Sequence, residues 1–391
     1  ASDVYKRQIF ILYSILLSIL YPLYFKTQFK FGYVCSLTLI LSLTLMIQYT
    51  FSLTLKTLLN ADKKAYIVNF TQAIIVVLNV ILALISIYIY PSIHVLKLIG
   101  GLLFLIQPFV FGKYVNKRYN INWNASTDNS LISSRWNGFA INIASFIHNN
   151  TDVTVLTFFT NLKTVSIYSV YMLVSSGLKQ VVIACLSGIA NTVGQSYAKQ
   201  DWEELNNKLD IYEYIVFILV FFLFTIAALL ITPFVQLYTN GITDANYFQP
   251  MFGYLLIISE ALYLVKTPHL DLAYSANKFK EITFPAYIEA FLNIIISVIL
   301  VKKIGLIGVA IGTIVAMIYR MAFQVYFTTK IIPGRKQFIF YKKLIIFTIF
   351  SIISFYICSS LFVFESLSIL NWIIHAFIYS FIAVSYTHLT L

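Results

Sequence analysis

Charged side chains lie inside apolar segments that are long enough to cross a bilayer. Glu260, Lys266 and Asp271 precede a short cationic loop at 277–280, and Glu289 follows it. An ionisable group at the centre of a membrane helix costs roughly 2.5–3.5 kcal/mol on insertion scales, so it normally faces a bundle interior or a water-filled cavity. Such groups can bind ions or the charged part of a substrate. We therefore interpret this stretch as part of a pathway through a membrane.

A polar stripe follows one face of the apolar run at 137–160. Asn142, Ser145, Asn149 and Asp152 recur at the spacing of helical turns, so they share one face. Hydrogen bonding to neighbouring helices explains a stripe of this kind. A water-filled groove is the favoured interpretation here, because an Asp is harder to neutralise in a membrane than an Asn.

Two lysines lie in the cytoplasmic half of their segments. Lys179 is followed by Gln180 in one segment, and Lys266 precedes Pro268 in another. Each lysine either extends its ammonium group to the membrane surface or faces a cavity. Proline removes a backbone donor, so a kink is expected beside Lys266. Arg320 lies near the cytoplasmic end of its segment, and we expect its side chain to reach the membrane surface.

The composition predicts an all-α, polytopic membrane protein. The chain is 60% hydrophobic and only 11% charged, whereas soluble domains carry about 25% charged residues. Apolar runs of about 20 residues match the thickness of a bilayer, and helices satisfy their backbone groups there. The sequence contains twelve such runs, at 9–25, 32–55, 66–90, 94–112, 137–160, 165–190, 211–235, 248–274, 282–301, 305–329, 340–363 and 368–384.

The basic residues set the orientation rather than indicate nucleic acid. The formal charge is +12, but the lysines and arginines lie mostly between apolar runs, which is typical of topology control. With residue 8 in the cytoplasm, the lysine-rich and arginine-rich connections are cytoplasmic. No nucleic-acid partner is expected. Cys35, Cys185 and Cys358 all fall in apolar runs, and we expect buried free thiols.

Polar interruptions divide the chain. The longest, at 113–135, separates four apolar runs from eight and is interpreted as a cytoplasmic linker between bundles. The segment 199–213 mixes charged and apolar residues at helical spacing, so we expect an amphipathic surface helix with solvated acids. Residues 1–8 and 385–391 are interpreted as non-native ends of a fragment.

Several segments resemble one family of transporters. They are KTPHLDLAY at 266–274, IEAFLNIIISVILVKK at 288–303, IGLIGVAIGT at 304–313, and the stretches 149–152 and 159–169. Over roughly 50–330 the chain is similar to the polysaccharide transporters, which include the O-antigen and capsule repeat-unit flippases. These belong to the multidrug/oligosaccharidyl-lipid/polysaccharide exporter (MOP) superfamily.

The resemblance implies two six-helix bundles around a central cavity, with two extra helices. Residues 9–112 would be the last four helices of the first bundle, which lacks its first two here. Residues 136–330 would form the second bundle and 340–384 the extra pair, so about 14 helices are expected in the full chain. The protein would be a multi-pass protein of the bacterial cytoplasmic (inner) membrane.

The implied function is the flipping of an undecaprenyl-diphosphate-linked oligosaccharide for cell-surface polysaccharide (O-antigen, capsule or exopolysaccharide). We expect Lys179 and Lys266 to attract the diphosphate. The residues expected to hydrogen-bond to sugar are Asn142, Asn149, Asp152 and Gln180. The acids expected to couple a proton or sodium gradient are Glu260, Asp271 and Glu289. No cofactor or metal is expected. An association with the polysaccharide polymerase machinery is expected.

Two alternatives stay open at this point. A multidrug/cation antiporter of the same superfamily would have an acidic, aromatic cavity without a need for lysine. A membrane glycosyltransferase or polymerase would have a large extracytoplasmic loop, but the longest one expected here, 236–247, is short. The sequence contains no GxSxG, P-loop or HExxH motif, so a transporter is favoured over an enzyme.

Overall fold

The chain folds into apolar helices joined by short connections. A computed structural model describes residues 2–24, 30–62, 64–119, 135–361 and 368–388. The helices of the first part are α1 (Ser2–Tyr24), α2 (Phe31–Ile47), α3 (Leu53–Ala61), α4 (Ala65–Ile89), α5 (Ile93–Leu103) and α6 (Ile106–Arg118). The remaining helices are α7 (Arg135–Phe159), α8 (Leu162–Lys199), α9 (Trp202–Tyr238), α10 (Pro250–Val265), α11 (Thr267–Ser275), α12 (Phe279–Ile304), α13 (Leu306–Ile331), α14 (Gln337–Leu361) and α15 (Ile369–His388).

Apolar length supports the polytopic membrane fold. Within the described residues, eight helical stretches are long and apolar enough to cross a membrane, and two apolar helices are shorter. Helix length and hydropathy do not confirm the expected number of twelve membrane-spanning helices. Two of the twelve predicted runs do not meet these criteria for visible reasons: α7 carries the polar stripe, and the run at 248–274 is interrupted.

The interruption lies at Lys266. Helix α10 ends at Val265 and α11 begins at Thr267, with Pro268 in the first turn of α11. Proline fits the first turn of a helix, where its missing N–H would have no partner in the helix. The kink expected beside Lys266 is thus present, and it places the lysine at a break inside an apolar segment.

The segment 199–213 is not a separate surface helix. Asp201 caps α9 by accepting a hydrogen bond from the Glu204 backbone N–H (2.9 Å), and the helix then continues to Tyr238. Leu205 is buried, and so is the acid Glu213. Our expectation of solvated acids is wrong for Glu213, because the approach of α14 and the turn before it covers that face.

Buried ion pairs hold α14 against α9. Glu213 accepts hydrogen bonds from Arg335, which precedes α14, and from Lys343 within it (2.9 Å). Arg335 also lies 3.2 Å from Asp210. The His269 Nε2 atom of α11 lies 3.4 Å from the Glu213 carboxylate. This group, the Glu213 cluster, ties α9, α11 and α14 together.

The chain divides into two compact units, residues 1–127 and 128–391. The boundary falls in 120–134, outside the described residues. The first unit has a small core at the ends of α3, α4 and α6, formed by Leu59, Val68, Phe111 and Val115. In the α3–α4 turn, hydrogen bonds from Lys64 and Tyr119 hold the pKa of Asp62 below its usual value.

The core of the second unit is larger. It includes side chains from every helix from α7 through α14, and its buried residues include Leu156, Tyr171, Val216 and Leu264. A separate cluster packs α14 and α15 on α9, and the Trp372 indole N–H donates to the Leu230 carbonyl (3.2 Å).

Helices α12 and α13 approach closely at glycines. A Cβ atom on Gly308 would lie 2.5 Å from the Leu300 carbonyl carbon, and one on Gly312 would lie 2.3 Å from Ser297 Oγ. Gly305 has a different role, because its φ of +57° ends α12 in a conformation that favours glycine.

The cysteines only partly match the expectation. All three are free; Cys358 is buried, but Cys35 is half-buried and Cys185 is exposed. Exposed apolar side chains are common on these helices, as expected for surfaces that face lipid.

Candidate functional site

A cavity of about 430 Å³ lies inside the second unit. Helices α7 to α13 all contribute to its wall. The lining residues are Ser145, Asn149, Ile183, Leu186, Ala190, Tyr212, Tyr263, Lys266, Thr267, Leu270, Asp271, Tyr274, Ala286, Glu289 and Arg320. The volume is within the range of about 300–1,000 Å³ that is typical of small-ligand pockets.

A buried ion triad forms the cationic pole of this cavity. Lys266 Nζ lies 3.0 Å from Glu289 Oε1, and Arg320 Nε lies 3.4 Å from Glu289 Oε2. Arg320 also donates to the Ile282 carbonyl (3.0 Å). Neither cation reaches the membrane surface, so the expected snorkelling of Arg320 is wrong. Burying an unpaired charge is costly, and the carboxylate between the two cations offsets part of that cost.

Asp271 forms the anionic pole of the same cavity. Tyr212 of α9 donates its hydroxyl hydrogen to Asp271 Oδ2 (2.7 Å). Thr267, Asp271 and Tyr274 lie along one face of α11 and line the cavity. The opposite face of α11, with Leu272, is buried in the bundle.

A second, smaller cavity of about 30 Å³ is lined by Asn149 and Tyr263 as well. There Lys179 of α8 forms an ion pair with Glu260 of α10 (2.8 Å). The Tyr263 ring lies between the two sites, since the ammonium groups of Lys179 and Lys266 are each 4.7 Å from its centroid. Cation–π contact of this kind stabilises an ammonium group away from water.

Asp152 of α7 lies on the wall of the smaller cavity and is buried. Its carboxylate accepts hydrogen bonds from Thr313 (2.9 and 3.0 Å), Asn293 (3.3 Å) and Tyr168 (3.3 Å). Thr313 also approaches the Val309 carbonyl (3.2 Å). No salt bridge within the described part of the chain includes Asp152, so neutral groups satisfy this carboxylate.

The structure brings most of the predicted site residues together. Asn149, Asp152, Lys179, Glu260, Lys266, Asp271 and Glu289 all line one of the two cavities. Gln180 is exposed and lines neither cavity. The Asn142 side chain lies outside the described residues.

Sequence reasoning missed two of the groups that matter. Arg320 was expected at the membrane surface, yet it completes the ion triad. Tyr212 is not among the predicted site residues, although it falls in the apolar run at 211–235. Its position next to an acid and its spacing from Leu205 and Leu209 were the available signals.

No family model and no curated protein matches the sequence. Solved structures do match the fold. The lipid II flippase MurJ in an inward closed conformation superposes with a TM-score of 0.68 at 17% identity, over 100% of this chain and 84% of that one. The chain therefore shares its fold with this flippase.

Multidrug transporters also share the fold. A MATE protein in a bent conformation gives a TM-score of 0.57 at 14% identity, over 84% of this chain and 77% of that one. An inward-facing MATE family transporter of the MOP superfamily gives 0.56 at 14% identity, over 85% and 82%. By their names these proteins are a lipid II flippase and multidrug transporters.

Proposed function

We propose that this protein flips a lipid-linked oligosaccharide across the bacterial cytoplasmic membrane by alternating access. The observation that carries the proposal is the buried triad Lys266–Glu289–Arg320, which lines a cavity in a fold shared with a lipid II flippase. Two cations and one carboxylate leave a net positive charge at that point. A diphosphate group is the natural ligand for such a pole.

Binding of the diphosphate occurs by exchange of partners. Lys266 and Arg320 both contact Glu289 in the described structure, so neither cation is free. A phosphate oxygen replaces the Glu289 carboxylate and keeps the charge-assisted hydrogen bonds of Arg320. Lys179 pairs with Glu260 in the smaller cavity. There a phosphate oxygen replaces the Glu260 carboxylate in the same way.

The coupling ion is a proton or sodium ion, and Asp152 is a better candidate for it than Glu260 or Glu289. Glu260 and Glu289 pair with cations, whereas the contacts of Asp152 are with hydroxyl and amide groups. Carboxylate, hydroxyl and carbonyl oxygens are the ligands that hard cations prefer. Protonation also neutralises a buried carboxylate without any new partner.

The proposed substrate is an undecaprenyl-diphosphate-linked oligosaccharide for O-antigen, capsule or exopolysaccharide. Such a product is consumed by a polymerase on the outer face, so we also propose an association with that machinery. The likeness to MurJ supports the lipid-linked class of substrate, and the mixed cavity supports a head group with both anionic and hydroxyl-bearing parts.

Flipping in reconstituted vesicles tests this proposal. The purified protein is placed in vesicles that contain an undecaprenyl-diphosphate-linked oligosaccharide, and a lectin measures the glycan that reaches the far leaflet. We expect flipping by the unaltered protein and a fall of about tenfold or more in the Lys266→Ala, Arg320→Ala variant. Lys303→Ala, at an exposed lysine, is the control. Unchanged flipping in the double variant would overturn the assignment of the cationic pole.

A multidrug/cation antiporter is the second candidate. Three tyrosines and Asp271 line the cavity, which is the aromatic and acidic chemistry expected of that class, and MATE transporters share the fold. The buried cations Lys266 and Arg320 disfavour it, because they repel a cationic drug. A glycosyltransferase or polymerase is a weaker candidate, since the fold neighbours are transporters.

A further inference from the structure

Helix α11 presents two different faces. Thr267, Asp271 and Tyr274 line the cavity. His269 is buried on the other side, where its Nδ1 atom lies 2.9 Å from Thr328 Oγ1. Because the far side is held by the bundle, the cavity side of α11 keeps a defined position. A ligand in the cavity therefore meets a preorganised wall.

Asp271 differs from Glu260 and Glu289, the other two acids expected to couple an ion. Glu260 and Glu289 each form an ion pair with a lysine. Asp271 forms no salt bridge among the residues described, and its Oδ2 atom accepts a hydrogen bond from the Tyr212 hydroxyl. An ionised carboxylate accepts hydrogen bonds at both oxygens. Oδ1 therefore remains able to accept from a ligand, at a side chain that is only half-buried.

The cationic and anionic poles are close enough for one compact ligand. Lys266 lies at the break before α11 and Asp271 lies in the second turn of α11, and both line the cavity of about 430 Å³. Tyr263 and Tyr274 line the same cavity. A sugar attached to a phosphate has the matching features, namely an anionic end, adjacent hydroxyl donors and apolar C–H faces.

We propose that Asp271 and Tyr212 form a sugar subsite that recognises hydroxyl groups of the sugar next to the diphosphate. Tyr212 fixes one carboxylate oxygen, and the other accepts from a sugar hydroxyl in a charge-assisted hydrogen bond. The tyrosine rings cover the C–H face of the sugar. This inference rests on the proposed function, and it moves Asp271 from ion coupling to substrate specificity.

Binding of two probes by the purified protein tests the subsite. One probe is undecaprenyl diphosphate, and the other is the same lipid with an oligosaccharide attached. The variant Asp271→Asn keeps an acceptor for Tyr212 but loses the charge. We expect the unaltered protein to bind the sugar-bearing probe about tenfold more tightly than the bare lipid. We expect Asp271→Asn to abolish this difference without weakening the bare lipid.

The controls distinguish a failure of the sugar subsite from a failure of the proposed flippase function. Glu281→Gln makes the same chemical change at an exposed acid paired with Lys278 and should leave both affinities unaltered. Tyr212→Phe should weaken the sugar-bearing probe alone. If Asp271→Asn keeps the full preference for sugar, or weakens both probes equally, the subsite is wrong while the flippase proposal stands. If the unaltered protein binds neither probe, the proposed function fails and the subsite fails with it.

Discussion

At the scale of single residues, the cations around the two cavities each contact a carboxylate. Lys179 contacts Glu260, and Glu289 receives both Lys266 and Arg320. A buried ion pair adds little net stability, but removal of one partner leaves an uncompensated charge. The cations of these pairs therefore form a site that an incoming anion can occupy by displacing the carboxylate.

Glu289→Gln tests this view. The substitution leaves Lys266 and Arg320 without their shared carboxylate, so we expect a loss of about 3–5 kcal/mol in the free energy of unfolding. The folded variant should bind undecaprenyl diphosphate more tightly than the unaltered protein does, because no carboxylate competes with the lipid for the two cations. Thermal unfolding with and without this lipid measures both effects. Equal stabilisation by the lipid in the variant and the unaltered protein would contradict exchange of partners.

Asp152→Asn tests the coupling role of the buried carboxylate. The amide keeps the hydrogen bonds with Thr313 and Tyr168 in a similar shape, but it takes up neither a proton nor a sodium ion. We expect flipping to lose its response to an imposed proton or sodium gradient while lipid binding is retained. Vesicles with and without each gradient provide the measurement. A full gradient response in the variant would exclude Asp152.

At the scale of elements, the α12–α13 contact depends on the absence of side chains. A methyl group at Gly308 would meet the backbone of Leu300. We therefore expect Gly308→Ala to lower the free energy of unfolding by about 1–3 kcal/mol. Gly177→Ala is the matched control in α8, since nothing lies within 4 Å of its added Cβ. The control should be neutral or slightly stabilising, and denaturation in detergent compares the two.

The Glu213 cluster governs how α14 is held. Arg335 and Lys343 both contact Glu213. Within the described part of the chain, Glu213→Ala leaves the buried arginine side chain with its contacts to Asn206 and Asp210. We expect a loss of about 3–5 kcal/mol and faster hydrogen exchange in 337–361. Glu203→Ala, an exposed acid at the start of the same helix, is the control. Unchanged exchange in α14 would show that apolar packing alone holds it.

The sequence predicts the helices better than it predicts the contacts between them. Hydrophobic length located the helical segments, and Pro268 marked the break beside Lys266. The pairing of Arg320 with Glu289 was not predictable, because it joins residues on different helices that come together only through packing. The burial of Glu213 is not predictable from the sequence for the same reason. Its local pattern is amphipathic, and its cover comes from α14, more than a hundred residues later.

At the scale of the whole molecule, the fold alone does not select the function. The lipid II flippase and the MATE transporters share it at identities of 17% and 14%, so the side chains of the cavity must discriminate. The cavity carries two buried cations and one acid without a cationic partner in the described structure. That combination suits a ligand with an anionic group next to hydroxyl groups.

Side-by-side transport of two cargoes tests the central claim most directly. Vesicles with the protein are supplied either with an undecaprenyl-diphosphate-linked oligosaccharide or with the organic cation tetraphenylphosphonium. The flippase account predicts that the glycan reaches the far leaflet, that this depends on Lys266 and Arg320, and that the cation does not accumulate. Gradient-driven accumulation of tetraphenylphosphonium without any flipping of the glycan would contradict the account.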